Sequence, residues 1–212
     1  MALLAIGGLD AVTRMFITAG SETSHELVLE NHHIDVYSND YGPTEVTVCA
    51  TYWKHNHEDE IPQCIPIGRP INNKKVYIVN GNAICGIGVP GELCIAGDGL
   101  ARGYLNRPEL TEEKFVKNPY GEGRLYRSGD LARWMPDGNI EYLGRIDEQV
   151  KIRGFRIELG EIESRIREIE KIKDCAVIAR EDKNGEKAIY AYYTAEEEVG
   201  VSKIRDRLSE SL

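Results

Sequence analysis

The sequence predicts a mixed α/β and α+β protein: an α/β layered subdomain, a small antiparallel β-barrel-like unit, and an α+β C-terminal lobe. Three observations carry this. A strand, helix, strand pattern covers Arg14 to Ser38. Short β-rich runs broken by Gly, Pro, Asn and Asp fill the middle, and isoleucines at helical spacing precede two strand-like runs near the end.

The run RMFITA, Arg14 to Ala19, is short, apolar and stopped by Gly20. Ser24 to Asn31 is compatible with a helix and leads into IDVYS, which completes a crossover unit. Tyr41 to Glu45 then falls on the loop leaving a strand, where open α/β sheets bind ligands. Residues 1–64 are read as this layer.

Residues 65–147 form the barrel-like unit, with KKVYIVN, GELCIAG and NIEYLGR as antiparallel strands. MPDGN, Met135 to Asn139, predicts a hairpin, since Asp-Gly supplies the positive φ values that primed turns demand. Thr111 to Phe115 predicts a short helix capped by Thr111. After Asp147 comes the third unit, residues 148–212. Ile162, Ile166 and Ile169 recur at helical spacing, CAVIAR and AIYAYYT give two strands around DKNGEK, and Ser202 to Leu212 suggests a final helix.

A chain of 212 residues can bury a substantial core. Its net charge of −9 argues against nucleic acid, because phosphate-backbone binding needs a basic face. The apolar opening MALLAIGGLDAV lacks a basic leader, is broken by Gly7 and Gly8, and meets Asp10 too soon for a signal peptide or a membrane span. These features predict a cytoplasmic protein with no membrane partner. Cys49, Cys64, Cys85, Cys94 and Cys175 are an odd set without C-x-x-C spacing, so they read as small core residues rather than disulfides or zinc ligands. HNHEDE, His55 to Glu60, reads as a solvated loop rather than a metal site.

Two strings carry chemistry. NDYGPTEVTVC, Asn39 to Cys49, sets a Gly-Pro turn beside an aromatic, a hydroxyl and a carboxylate, the groups needed to stack a base, hold a phosphate and anchor a cation. LYRSGDLARWMPDGNIEYLGRIDEQVKIRGFRIELGE, Leu125 to Glu161, carries an acid, arginines and a lysine on a glycine-punctuated frame. With GELCIAGDGLARGYLNRPELTEEKF, Gly91 to Phe115, they resemble the adenylation domain of nonribosomal peptide synthetases, a branch of the adenylate-forming, acyl-CoA ligase-like superfamily. The resemblance runs in order over nearly the whole chain. Because the family's domain is far longer, the chain reads as a fragment or an unusually short form.

The resemblance implies an ATP-dependent ligase. It joins ATP and an amino acid, with Mg²⁺, into an aminoacyl-adenylate, then passes the acyl group to the phosphopantetheine thiol of a peptidyl carrier protein. It assigns Tyr41 to the adenine, Thr44 to the α-phosphate, Glu45 to Mg²⁺, Asp130 to the ribose hydroxyls, and Arg145 to ribose oxygens and phosphate. Those roles suit a carboxylate with two acceptor oxygens and a planar cationic fork. Asp147 matches the hinge about which the C-terminal lobe rotates, and Lys151 a lysine brought to the active site in the second arrangement. The specificity positions map onto Ile17, Ala19, Asp40, Val48 and Cys49, with Asp40 also beside the nucleotide positions. Core packing explains Ile17, Ala19, Val48 and Cys49 equally well, and Asp40 either reads a polar substrate group or turns to solvent.

The family's phosphate loop, the acid that pairs with the substrate amino group, and the Asn-Gly-Lys lysine have no counterpart here. Lys183-Asn184-Gly185 has the lysine before the pair and reads as a turn. The remainder of the domain is therefore an implied partner. Alternatives are a coenzyme A or D-alanine-carrier ligase, or a truncated, non-catalytic protein.

Overall fold

A computed structural model describes residues 13–20, 23–147, 150–152, 155–183 and 187–211. The opening run 1–12 and residues 184–186 of the expected turn lie outside these. The chain divides into two compact units, Met1–Asp147 and Glu148–Leu212.

In the first unit, β1 (Met15–Ala19), α1 (His25–Glu30) and β2 (Val36–Tyr41) make the crossover, with β1 and β2 parallel from Met15↔Val36 to Ala19↔Asp40. Antiparallel β3 (Thr51–Asn56) and β4 (Arg69–Pro70) complete a four-stranded sheet. Ser24 starts α1 where expected, its hydroxyl accepting the Leu27 N–H at 3.1 Å. Val28 then packs on Tyr37, Trp53 and Ile65, burial that contributes about 1.5–3 kcal/mol per large apolar side chain.

β3 corrects one expectation. HNHEDE is not a solvated loop at its start, because TYWKHN alternates and turns Thr51, Trp53 and His55 inward. His55 is buried, its ring stacks on Trp53 at 5.3 Å, and its Nε2 has no hydrogen-bond partner among the described residues. Desolvation holds its pKa below the ordinary value, opposed by Asp59 and reinforced by His57. The unfolded chain therefore takes up the proton first as pH falls. Stability should be constant above pH about 6.5 and decline below it until the folded state also protonates. Urea midpoints at pH 7.5 and 5.5 check this: His55→Leu should flatten the difference, and an unchanged slope would remove His55 as its source.

The second sheet is a curled, open antiparallel half-barrel. It contains β5 (Lys74–Asn80), β6 (Ala83–Ile84), β7 (Gly91–Gly97), β8 (Phe115–Lys117), β9 (Arg124–Trp134) and β10 (Ile140–Arg145), in the order β10-β9-β7-β5-β6 with β8 on β9. Its inner residues Ile78, Leu93, Ile95, Tyr126 and Ile140 join Tyr41, Val46, Ala50 and Ile67 in one core. Three expectations are corrected here. In MPDGN only Gly138 has positive φ, 82°, so the turn is not a primed one; Pro136 fixes its second position, and the Gly138 N–H closes it on the Met135 carbonyl at 3.0 Å. Helix α2 (Pro108–Lys114) begins at its proline, and Thr111 sits inside it, accepting from Tyr104 N–H and donating to the Arg107 carbonyl. Cys64 is exposed rather than core; Cys94 and Cys175 are buried.

The second unit carries the hairpin β11 (Val150–Ile152) and β12 (Phe155–Ile157), helix α3 (Leu159–Arg167), the pair β13 (Ile172–Glu181) and β14 (Lys187–Ala195), and α4 (Val201–Ser211). Leu159, Ile166, Cys175 and Val177 form its core, and Ile169, just past α3, is buried too. Among the described residues no helix is long and apolar enough to cross a membrane.

Candidate nucleotide and substrate site

Two bulges aim the chemistry of the second sheet. Between β7 and β9 the register shifts from Glu92↔Leu131 to Cys94↔Arg127, so Ser128-Gly129-Asp130 bows out of the ladder. Between β9 and β10 it shifts from Tyr142↔Ala132 to Gly144↔Leu131, which brings Arg145 opposite Asp130. An uninterrupted ladder would have placed Arg145 against Gly129 instead; a bulge re-aims a side chain in this way. Gly129 has φ 71°, and a Cβ there would lie 2.9 Å from both Arg145 Nη2 and Asp147 Oδ2. Any larger residue would collide with that fork.

Asp130 is buried, and its acceptors are largely taken. Arg145 Nη1 donates to Oδ1 at 3.0 Å, the Tyr142 hydroxyl approaches the same oxygen at 3.4 Å, and the Tyr41 hydroxyl donates to Oδ2. Arg145 also holds the Ser128 carbonyl at 2.9 Å and, through Nε and Nη2, the Asp147 carboxylate. Burial alone would lower the pKa of Arg145, but the Asp147 hydrogen bonds and the Asp130 charge outweigh it and raise it, so the guanidinium stays charged. Burial, and then the charge of Asp130, pushes the Tyr41 phenol well above its ordinary value and keeps it a donor. The ring of Tyr41 belongs to the core and lies 6.2 Å from that of Tyr142.

Thr44 and Glu45 open a 3-10 turn, Thr44–Val46, straight after the Gly-Pro pair. Glu45 is buried, accepts the Tyr104 hydroxyl at 2.7 Å on Oε1, and its carbonyl accepts the Ala101 N–H at 2.8 Å. The backbone beyond it is strained. Thr47 and Val48 both have positive φ, 64° and 65°, and the Cys49 N–H closes a three-residue turn on the Thr47 carbonyl at 2.8 Å. Left-handed β-branched residues are outliers, each costing about 1–3 kcal/mol. Gly42 makes room for this, since a Cβ there would sit 2.3 Å from the Val48 oxygen.

Ile17, Ala19 and Asp40 share one face of the first sheet, because Ala19 pairs with Asp40 and Ile17 with Ser38. Ile17 is 52% and Val48 75% exposed, and Ala19 is exposed as well. Asp40 accepts the Ser38 hydroxyl at 2.5 Å, and the half-buried Cys49 thiol is pushed up by desolvation and then by the charge of Asp40. Val48 is not tied to this group by a described side-chain contact. Lys151 lies in β11 of the second unit, opposite Arg156. Among the described residues no three His, Cys, Asp or Glu side chains gather as a metal cluster. Sequence reasoning missed Tyr104, Tyr142 and Lys74, whose partners lie too far along the chain for spacing to reveal them.

The chain is similar to known proteins over most of its length. The AMP-binding enzyme family profile matches residues 5–105. Bacitracin synthase 3 of Bacillus licheniformis is 52% identical over 204 residues, spanning 93% of this chain and 3% of that protein. Among solved structures, the Vibrio cholerae adenylation domain AlmE in complex with glycyl-adenosine-5'-phosphate superposes with a TM-score of 0.80 at 29% identity, covering 94% of this chain and 39% of that one. NpsA-ThdA, an artificially fused adenylation-PCP di-domain from Klebsiella oxytoca, gives 0.74 at 27% identity, covering 92% and 37%. The chain thus spans a small part of the synthetase and under half of each solved relative.

Proposed function

Since the chain belongs to the AMP-binding enzyme family, alongside the adenylation domains of nonribosomal peptide synthetases, we propose that it supplies the nucleotide-facing and side-chain-selecting part of an amino-acid-activating enzyme. The observation that carries this is the convergence of Tyr41 from β2 and of Tyr142 and Arg145 from β10 on the buried carboxylate of Asp130 in β9.

In this reading an amino-acid carboxylate attacks the α-phosphorus of ATP in line, pyrophosphate leaves, and the aminoacyl-adenylate forms. Such a displacement needs positioning and charge neutralisation more than covalent chemistry. An ionised carboxylate offers about four lone-pair sites, and three donors already meet Asp130. It therefore takes one ribose hydroxyl rather than two. Arg145 holds Asp130 in place and contributes positive charge, while Tyr41 serves the adenine. Thr44 donates to the α-phosphate. Glu45 is the hard oxygen donor that Mg²⁺ prefers, and its fixation by Tyr104 and Ala101 fits that task. Bound Mg²⁺ would neutralise phosphate charge.

Asp147 serves as the hinge and Lys151 as a charge contributed by the second unit when the aminoacyl group passes to a carrier-protein phosphopantetheine thiol. Kinship with an adenylation-PCP di-domain supports that partner. Ile17, Ala19, Asp40, Val48 and Cys49 line the side-chain pocket; Ile17, Ala19 and Asp40 on one face of the first sheet, and the electrostatic contact of Asp40 with Cys49, support that reading. In a complete adenylation domain carrying this segment, Asp40→Ala should change which amino acid supports pyrophosphate exchange. An apolar amino acid should gain about tenfold or more, since a carboxylate left unpaired against it is costly. An unaltered ranking would remove Asp40 from the pocket.

A further inference from the structure

We infer that Lys74 is a positioning residue that braces the strained Val46–Cys49 turn, tying the metal-holding Glu45 to the pocket wall at Cys49. The inference deepens the reading above and rests on it for its functional consequence. The brace is visible in the contacts. Lys74 leaves the start of β5 and its Nζ donates to the Val46 carbonyl at 2.7 Å. That carbonyl lies between Glu45 and the two left-handed residues Thr47 and Val48. The neighbouring Thr47 hydroxyl donates to the Gly99 carbonyl at 2.7 Å.

Gly99 completes the cradle. A Cβ there would stand 2.5 Å from Lys74 Nζ and 3.4 Å from Thr47 Oγ1, so glycine leaves the space that both donors occupy. Strained backbone persists only where its surroundings over-determine it. Three contacts do so here: Ala101 N–H on the Glu45 carbonyl, Lys74 on Val46, and Thr47 on Gly99. Lys74 is the charged one, and a charge-assisted hydrogen bond is about twice as strong as a neutral one. It also lies within electrostatic reach of Cys49, itself influenced by Asp40. Releasing the ammonium should therefore let the turn relax, moving Glu45 and Cys49 together.

Hydrogen–deuterium exchange on the chain itself tests the brace without any need for activity. Lys74→Met should speed exchange across Val46–Ala50 by about tenfold, Lys74→Gln, which can still donate a neutral bond, by less, and peptides of β7 should be unmoved. Equal rates in all three proteins, or acceleration spread evenly over β7 as well, would overturn the inference. In a complete adenylation domain, Lys74→Met should raise both the half-saturating Mg²⁺ concentration and the amino-acid KM, while compressing the preference among amino acids tried one by one. A uniform fall in kcat with constant KM, Mg²⁺ dependence and ranking would mark Lys74 as merely structural and contradict its positioning role. A wild-type domain without exchange activity, but with the accelerated turn in Lys74→Met, would sink the proposed enzyme and leave the brace standing.

Discussion

Asp130→Ala is expected to lower the stability of the Met1–Asp147 unit by about 3 kcal/mol, the low end for breaking a buried ion pair. The Asp130 and Arg145 side chains are only 8% and 17% exposed, so water does little to replace the lost partner. Asp147 still neutralises part of the guanidinium, which keeps the loss from being larger. The Tyr41 hydroxyl, deep in the core, also loses its acceptor. Thermal unfolding should show a midpoint lower by about 6–12 °C, with Asp130→Asn, which keeps an acceptor oxygen, falling between. A midpoint within a degree of wild type would show that Arg145 and Tyr41 are satisfied without Asp130.

The largest effect concerns the 212-residue segment by itself, which should show no significant amino-acid-dependent pyrophosphate exchange. It carries no counterpart of the family's phosphate loop, amino-group acid or Asn-Gly-Lys lysine. Loss of even one preorganised donor costs about a hundredfold or more in rate, and here several are missing at once. Exchange within about tenfold of a complete adenylation domain would mean that another cation of this chain, such as Lys151 or Lys183, supplies the missing charge.

Much of the fold was legible in the sequence because its signals are local. RMFITA, the Ser24 to Asn31 stretch and IDVYS each state their own conformation within a few residues, and the parallel pairing of β1 with β2 follows from their order. The roles proposed for Tyr41, Glu45, Asp130 and Arg145 rest on motif resemblance, not on spacing. What the sequence left out is non-local. Nothing in SGD or in EYLGR announces that two bulges will set Arg145 across from Asp130, since bulges depend on the partner strand. Tyr104 and Glu45 meet across 59 positions. Polar neighbours hide the period-two alternation that buries His55, and the proline at the start of α2 is a stronger start signal than the Thr111 hydroxyl one turn later. The exposure of Ile17 is equally hidden, since an apolar residue reads the same in a core and on an open sheet face.

The central claim is that Asp130, held by Tyr41, Tyr142 and Arg145, receives one ribose hydroxyl of an adenosine nucleotide. The most direct measurement compares ATP with its 2'-deoxy and 3'-deoxy forms in pyrophosphate exchange by a complete adenylation domain, wild type against Asp130→Asn. One deoxy form should lose about tenfold or more in kcat/KM with wild type and the other little, and Asp130→Asn should erase most of that difference. Equal use of all three nucleotides by the wild-type domain, or a preference that survives intact in Asp130→Asn, would contradict the account.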